Sequence, residues 1–339
     1  MYDIAFITYS NWNQAGDSLF SESFLKDIVK KYKVVVIGPA KPKIRVDFRK
    51  LSLERNIFMR LNRIGSISSI KAKKHLKIPD YKILIIDHLR TYLLAKKYTK
   101  KNKPVIYLSH NFEFKNLIEN LKYNLGFKSI IKFILNFRIF FQEKRIRKHY
   151  LVIDADLSSS ECIYFPLIHK NNKDLKFNSK GGLLYVGNLT WYPNIIAVKK
   201  YLIDIYNIVK SEIHIIGKIS STEKNNLIKK YPFVKVHGFV DDISSLNLEI
   251  SSMLVLCELG SGIKIKFISS LLSENQIIFN SYNLNLLPKN ISEEIQKISK
   301  PISKNIYKII PNKKLHRKLF DFQKNTLKNV YSQIDLLIK

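Results

Sequence analysis

The chain has 339 residues, 46% of them hydrophobic and 12% aromatic, which is enough for two α/β units of ordinary size and too much apolar material for a disordered chain. Its 58 Lys and Arg against 27 Asp and Glu give a formal charge of +31, a field that attracts phosphates, nucleic acid or an anionic lipid surface without choosing among them. Only Cys162 and Cys257 occur, far apart and in no CxxC pair, which argues against a disulfide framework or a structural zinc site and suits a reducing compartment.

Taken in chain order, Met1 leads into "YDIAFITYS" without the basic start and apolar core of a signal peptide, so a cytoplasmic location is expected. Ile- and Val-rich runs then recur: "DIAFIT", "KVVVIG", "KILIID", "PVIYLS" and "YLVID" in the first half, "GLLYVG", "EIHIIG", "VKVHGF", "MLVLC" and "QIIFN" in the second. Their continuity suits strands buried on both faces, and the helical patterns between them imply right-handed βαβ crossovers. The expectation is an α/β protein of two doubly wound, parallel-sheet (Rossmann-like) domains, residues 1–176 and 177–312. A last helix over 313–339 packs on the second or crosses back to the first. The polar stretch "HKNNKDLKFNSKGG", His169 to Gly182, is predicted to be the linker.

Within that frame several loops attract attention. The first βα loop, "YSNWNQAGDS", contains Gly16. Next comes Arg55 to Lys77, with seven cations and no acid. After "PVIYLS" stand His110, Asn111 and Glu113, at the strand end where α/β folds present ligand groups. A histidine there can donate to a ligand hydroxyl or a developing phosphate charge, or simply satisfy local backbone. Residues Phe127 to Lys148 interleave Phe and Ile with seven Lys and Arg. Such a helix either lies on an anionic membrane or is buried on one side and solvated on the other. The greasiest segment there, "SIIKFILNFRIFF", is too short and too charged to span a bilayer. "DAD", Asp154 to Asp156, has metal-site spacing but no accompanying motif, and reads as a solvated strand end. The eight histidines show no ligand spacing, so no metal is expected. No nucleic-acid-binding signature accompanies the charge, and no nucleic-acid partner is expected.

In the second half, Pro193 opens a helix whose apolar stripe is Val198, Leu202, Ile205 and Val209. Further on, "ELGSGIKIKFISS", Glu258 to Ser270, joins a buried strand to a helix beginning near Lys264. Gly260, Ser261 and Gly262 permit a tight turn whose N–H groups face an anion, and Lys264 and Lys266 can neutralise phosphate. An ordinary βα turn with two solvated lysines is the plain alternative.

Four stretches, "LLYVGNLTWYPNIIAVKKYL", "IHIIGK", "VKVHGFVDDISSL" and "LGSGIKIKFISSLL", resemble in order and spacing the C-terminal domain of retaining glycosyltransferase family 4, of GT-B fold, over about residues 183–285. The resemblance implies two domains facing a cleft. It also implies a nucleotide-sugar donor as substrate, no further cofactor, retention of anomeric configuration and a lipid-linked or glycan acceptor in bacterial surface-polysaccharide assembly. His110, Lys264 and Lys266 would then be catalytic, and Gly187, Asn188, Gly238, Gly260, Ser261, Gly262, Ile263 and Ser269 would line the donor. Gly16, Asn111 and Glu113 would lie on the acceptor side. With the charge, this suggests an enzyme peripheral on the inner face of the cell membrane. Three departures stand out. Ser269 replaces the glutamate that grips the donor ribose, Asn188 replaces an arginine, and "ENQ", Glu274 to Gln276, replaces a small turn. A serine offers no charged bidentate acceptor. These departures define the alternative, a catalytically silent partner or glycan-binding subunit.

Overall fold

The computed structural model describes residues 1–10, 12, 16–51, 53–55, 70–72, 78–95, 99, 102–110, 113–123, 130, 133–134, 137–155, 162–167, 176–260, 262–273 and 275–339. The chain divides into two compact units: residues 1–166 with 261–265 and 322–339, and residues 167–260 with 266–321.

The first unit is built on a seven-stranded sheet, in which the five predicted runs are β1 (Tyr2–Ile7), β2 (Val34–Gly38), β6 (Tyr81–Asp87), β7 (Val105–Ser109) and β8 (Leu151–Asp154). The strands β3 (Asp47–Lys50) and β9 (Cys162–Ile163) close its two edges, giving the order β3-β2-β1-β6-β7-β8-β9, parallel throughout. A separate hairpin pairs β4 (Leu53–Arg55) with β5 (Ile70–Ala72). Alternate residues of β1 feed opposite cores: Ile4 and Phe6 pack with Phe20 and Phe24 of helix α1 (Gly16–Ile28), while Ala5 and Ile7 pack with Leu84 and Tyr107. Parallel strands covered on both faces must be apolar at every position, which is why these runs do not alternate. Next along the chain are α2 (Leu89–Ala95), α3 (Glu113–Tyr123) and α4 (Arg138–His149). The final stretch, 322–339, returns to this unit. Val330 and Ile334 enter the α1 core, and Tyr32 Oη donates to Asp335 at 2.9 Å.

The second unit repeats the plan with β10 (Lys176–Val186), β11 (Ile213–Ile216), β12 (Val234–Gly238), β13 (Glu249–Val255) and β14 (Ile277–Asn280). The order is β12-β11-β10-β13-β14-β16-β15, where β15 (Lys300–Ser303) and β16 (Ile306–Ile309) add an antiparallel edge. Helix α5 (Tyr192–Val209) has Pro193 in its first turn and buries Val198, Leu202 and Ile205, as its spacing predicts. It is followed by α6 (Ser221–Lys230), α7 (Ile265–Leu271), α8 (Lys289–Ile298) and α9 (Lys313–Ile338), whose residues from 322 on group with the first unit.

Two expectations are corrected. The predicted linker gives its second part to structure: β10 begins at Lys176 and carries a register shift between Phe177 and Gly182. A Cβ at Gly181 would lie 2.5 Å from the Glu249 carbonyl oxygen, so only glycine lets the strands meet there. And Asp154 is not a solvated strand end: its carboxylate is buried and paired with Arg147 at 2.6 Å. A carboxylate removed from water needs such a partner, and local sequence does not show that a helix will supply one. Among the described residues no helix is long and apolar enough to cross a membrane.

Candidate functional sites at the strand ends

In both sheets the strand order reverses beside the first strand, between β1 and β6 and between β10 and β13. Outside the carboxyl ends of strands at such a reversal, doubly wound sheets leave a crevice.

In the first unit, Thr8 follows β1, Asp87 ends β6 and His110 follows β7, and all three are buried. The Asp87 carboxylate accepts from Thr8 Oγ1 at 2.5 Å, from Ser21 Oγ at 2.8 Å and from His110 Nε2 at 2.6 Å. Because a carboxylate only accepts, the His110 proton sits on Nε2. Thr8 Oγ1 in turn accepts the Ser10 N–H at 2.9 Å. Beside this cluster His88 is held at φ 70°, a left-handed conformation that non-glycine residues seldom occupy and that clusters at functional sites. Its ring meets His110 edge-on at 5.2 Å, and its Nε2 lies 3.0 Å from Glu113 Oε1. Glu113 therefore joins the same corner as His110. Gly16 opens α1, whose Ser21 reaches Asp87, and Asn111 lies outside the described residues.

Glu143 on α4 completes the support. Its buried carboxylate accepts the N–H groups of Glu113 at 3.2 Å and Phe114 at 3.1 Å, capping α3. Burial outweighs these donors and Arg147, and pushes its carboxyl up to about 7.

In the second unit, glycine stands at the ends of three neighbouring strands: Gly187 and Gly217 directly follow β10 and β11, and Gly238 is the last residue of β12. The Gly187 N–H donates to Ile216 O at 2.9 Å and the Gly217 N–H to Gly238 O at 2.7 Å, so the ladder runs to the very edge of the sheet. At Gly217, φ is 141° and a Cβ would stand 1.9 Å from the Gly187 carbonyl oxygen. Bare backbone is therefore required where β10 and β11 end. Asn188 is engaged locally, its side-chain oxygen accepting from Thr190 N at 3.0 Å and Thr190 Oγ1 at 2.7 Å.

The glycine turn after β13 has φ 95° at Gly260 and 78° at Gly262, both in the region glycine tolerates. Tyr282 Oη donates to the Gly260 carbonyl at 3.1 Å, and the Ile263 N–H donates to Ala155 O at 3.1 Å. Residues 261–265, including Lys264, group with the first unit, and Lys266 with the second. Ser261 lies outside the described residues. Lys266 Nζ stands 3.7 Å above the ring centroid of Tyr185 on β10. Ser269 is buried and turns inward, its Oγ donating to the Lys266 carbonyl at 3.1 Å. Glu258 is taken up by Lys200 and by Tyr201 Oη at 2.7 Å. Among the described residues no group of three His, Cys, Asp or Glu is placed to hold a metal.

Thr8, Ser21, Asp87, His88, Tyr185 and Gly217 were not singled out in the sequence. Thr8 and Asp87 carried a usable signal, each being the polar residue that closes an apolar run. Ser21 carried none, since only the packing of α1 against β6 brings it to Asp87.

No family model matches the chain, and no curated protein matches it. Solved structures do. UGT71G1 of Medicago truncatula, complexed with UDP-glucose, aligns over 99% of this chain and 98% of its own at 11% identity, with a TM-score of 0.50. A glycosyltransferase from Rickettsia africae aligns over 100% and 99% at 12% identity, with a TM-score of 0.49. HepE of Anabaena, in complex with UDP and glucose, aligns over 82% and 80% at 9% identity, with a TM-score of 0.46. At such identities the likeness speaks for the fold alone. With its two mostly parallel α/β units, the chain has the GT-B fold.

Proposed function

We propose that this protein is a glycosyltransferase that moves a sugar from a nucleotide-sugar donor to a lipid-linked or glycan acceptor in bacterial surface-polysaccharide assembly. The observation that carries the reading is the Gly260 to Lys266 turn, with two glycines at positive φ and Lys266 seated on Tyr185 at the carboxyl edge of β10. As the glycosidic bond breaks, charge develops on the leaving diphosphate, and the Gly262 N–H, Lys264 and Lys266 are the groups assigned to stabilise it. On this reading the lysines do the work a metal would otherwise do, and transfer is retaining, on the leaving-group face. His110, fixed by Asp87, and Glu113 belong to the acceptor side.

Calorimetric binding of UDP, GDP, ADP, CMP and dTDP to the wild type and to Lys264→Ala/Lys266→Ala tests this. Micromolar binding of one nucleotide, lost in the double variant, is expected. Equal binding by the double variant would remove the mechanism.

The second reading, a silent partner or glycan-binding subunit, is favoured by Ser269, whose hydroxyl is spent on its own helix. It is supported if the folded wild type binds none of the five nucleotides.

Location at the inner face of the membrane draws on α4. Phe137 and Phe141 are 43% and 59% exposed, with the exposed Lys144 and Lys148 continuing the same stripe. Apolar side chains that dip into the acyl boundary and cations at the headgroups fit an anionic leaflet.

A further inference from the structure

Strands β13 and β14 pair in parallel as far as Val255 and Phe279, and there the backbone ladder ends. Asn280, the last residue of β14, is fully buried and carries the pairing further with its side chain. Its Oδ1 accepts the Cys257 N–H at 3.0 Å, and its Nδ2 donates to the Cys257 carbonyl. A primary amide offers the donor and acceptor of a peptide group, so it stands in for the next residue of a strand. Asn283, 1% exposed, sets which way round that amide lies: its Nδ2 donates to Asn280 Oδ1 at 2.8 Å and to the Val255 carbonyl at 3.0 Å.

The same short stretch meets the chain again at the glycine turn, where Tyr282 Oη donates to the Gly260 carbonyl at 3.1 Å. Backbone groups of Val255, Cys257 and Gly260 are thus held by side chains of Asn283, Asn280 and Tyr282. A glycine turn needs support of this kind from outside. Gly260 and Gly262 bring no side chain to pack, and glycine gives up more conformational freedom on ordering than any other residue. Turn N–H groups that are ordered only when an anion arrives lose affinity by the cost of that ordering.

We infer that Asn280 is a positioning residue of the donor turn: its side-chain amide continues the β13–β14 ladder to Cys257 and so holds the backbone from which the Gly260 to Lys266 turn departs. The inference rests on the donor-site reading above and adds a residue that acts through the main chain rather than on the ligand.

The isosteric Asn280→Asp variant supplies a test that general destabilisation does not mimic. Ionised, the new side chain only accepts, and one of its oxygens faces the Cys257 carbonyl. Protonated, it again has one donor and one acceptor in the same shape. Calorimetric binding of UDP and of inorganic pyrophosphate is compared for the wild type, Asn280→Ala, Asn280→Asp and Leu227→Ala, with folding checked by thermal unfolding. Leu227 is buried on α6 beside β12, at the edge of the sheet away from β14, so truncating it costs stability without touching the turn. At pH 8, Asn280→Ala and Asn280→Asp should each bind about tenfold more weakly than the wild type, and Leu227→Ala within about twofold of it. At pH 5 burial favours the neutral acid, so Asn280→Asp should return to within about twofold of the wild type at the same pH, while Asn280→Ala should not. The titratable neighbours, the Tyr201 hydroxyl, Glu258 and the Cys257 thiol, are common to all these proteins, and the ratio to the wild type cancels them. Unchanged binding by Asn280→Ala, a deficit of Asn280→Asp that persists at pH 5, or an equal loss in Leu227→Ala overturns the proposal.

A second readout, taken without ligand, separates this proposal from the donor-site reading. Hydrogen exchange of the peptide over residues 256–264, followed by mass spectrometry, should quicken in Asn280→Ala and stay as in the wild type in Leu227→Ala. If the wild type binds neither ligand, the donor-site reading falls, and unchanged exchange in Asn280→Ala overturns the positioning role by itself.

Discussion

Asp87 shows how one buried carboxylate can organise a corner of a sheet. It is 2% exposed and gathers Thr8, Ser21 and His110 from three different elements. A buried carboxylate with three donors is tolerated because each donor replaces a lost water. Substituting Asp87→Asn keeps the shape but turns one oxygen into an amide donor, which then faces donors. The expected loss is about 2–4 kcal/mol of unfolding free energy, read from urea midpoints. A loss below about 0.5 kcal/mol would mean the network does not operate as described. Ser269 sits at the other extreme: a hydroxyl in a helix accepted by the carbonyl three residues back is a local, self-contained bond. Sequence alone identified the serine, but its orientation came only with the helix around it.

At the scale of elements, α4 is tied to α3 through Glu143, and that tie depends on pH. Its carboxyl is raised from 4.5 to about 7 in the folded protein, by burial first. The native state therefore keeps a proton that the unfolded chain has released between those values. Stability contributed at this site is complete below pH 4.5 and falls as pH rises towards 7. The isosteric Glu143→Gln cannot ionise, so its urea midpoint should gain on the wild type between pH 5 and pH 8. Parallel curves would contradict the assignment. The His214–His237 pair, its nitrogens 3.0 Å apart, has the opposite sign: burial lowers both histidines, so their contribution is lost as pH falls below the ordinary histidine value near 6.5. Comparing Glu143→Gln with the wild type cancels that second effect.

For the whole molecule, the +31 charge and the aromatic stripe of α4 act over different ranges. Charge draws the protein to any anionic surface and is screened within about 8 Å at physiological salt. Apolar insertion is short-ranged and insensitive to salt. Co-sedimentation with vesicles rich in phosphatidylglycerol should therefore persist in part at 0.5 M NaCl for the wild type, with "about 1 kcal/mol" per basic residue lost to screening. Phe137→Ser/Phe141→Ser should abolish that residue of binding while keeping the low-salt component. Equal salt sensitivity in both proteins would reduce the membrane reading to bulk electrostatics.

The sequence by itself determined the class of fold, because buried parallel strands leave continuous Ile and Val runs and their crossovers leave helical stripes. All ten quoted runs contribute strand residues of the two sheets. It also marked the tight turn at Gly260 and Gly262, which both take positive φ, a region that non-glycine residues seldom occupy. The short strands at the sheet margins, β3, β9, β15 and β16, were not legible, having no periodic signal to separate them from loop. Nor were the partnerships: Asp87 with His110, Glu143 with the start of α3, Asp154 with Arg147, Lys266 with Tyr185. Each joins residues that only the packing of strands and helices brings within hydrogen-bond or ring-contact distance. A side chain's type is written in the sequence, but whether a buried charge finds a partner, and which one, is decided by tertiary structure, because the penalty for leaving it alone arises only once water has been excluded.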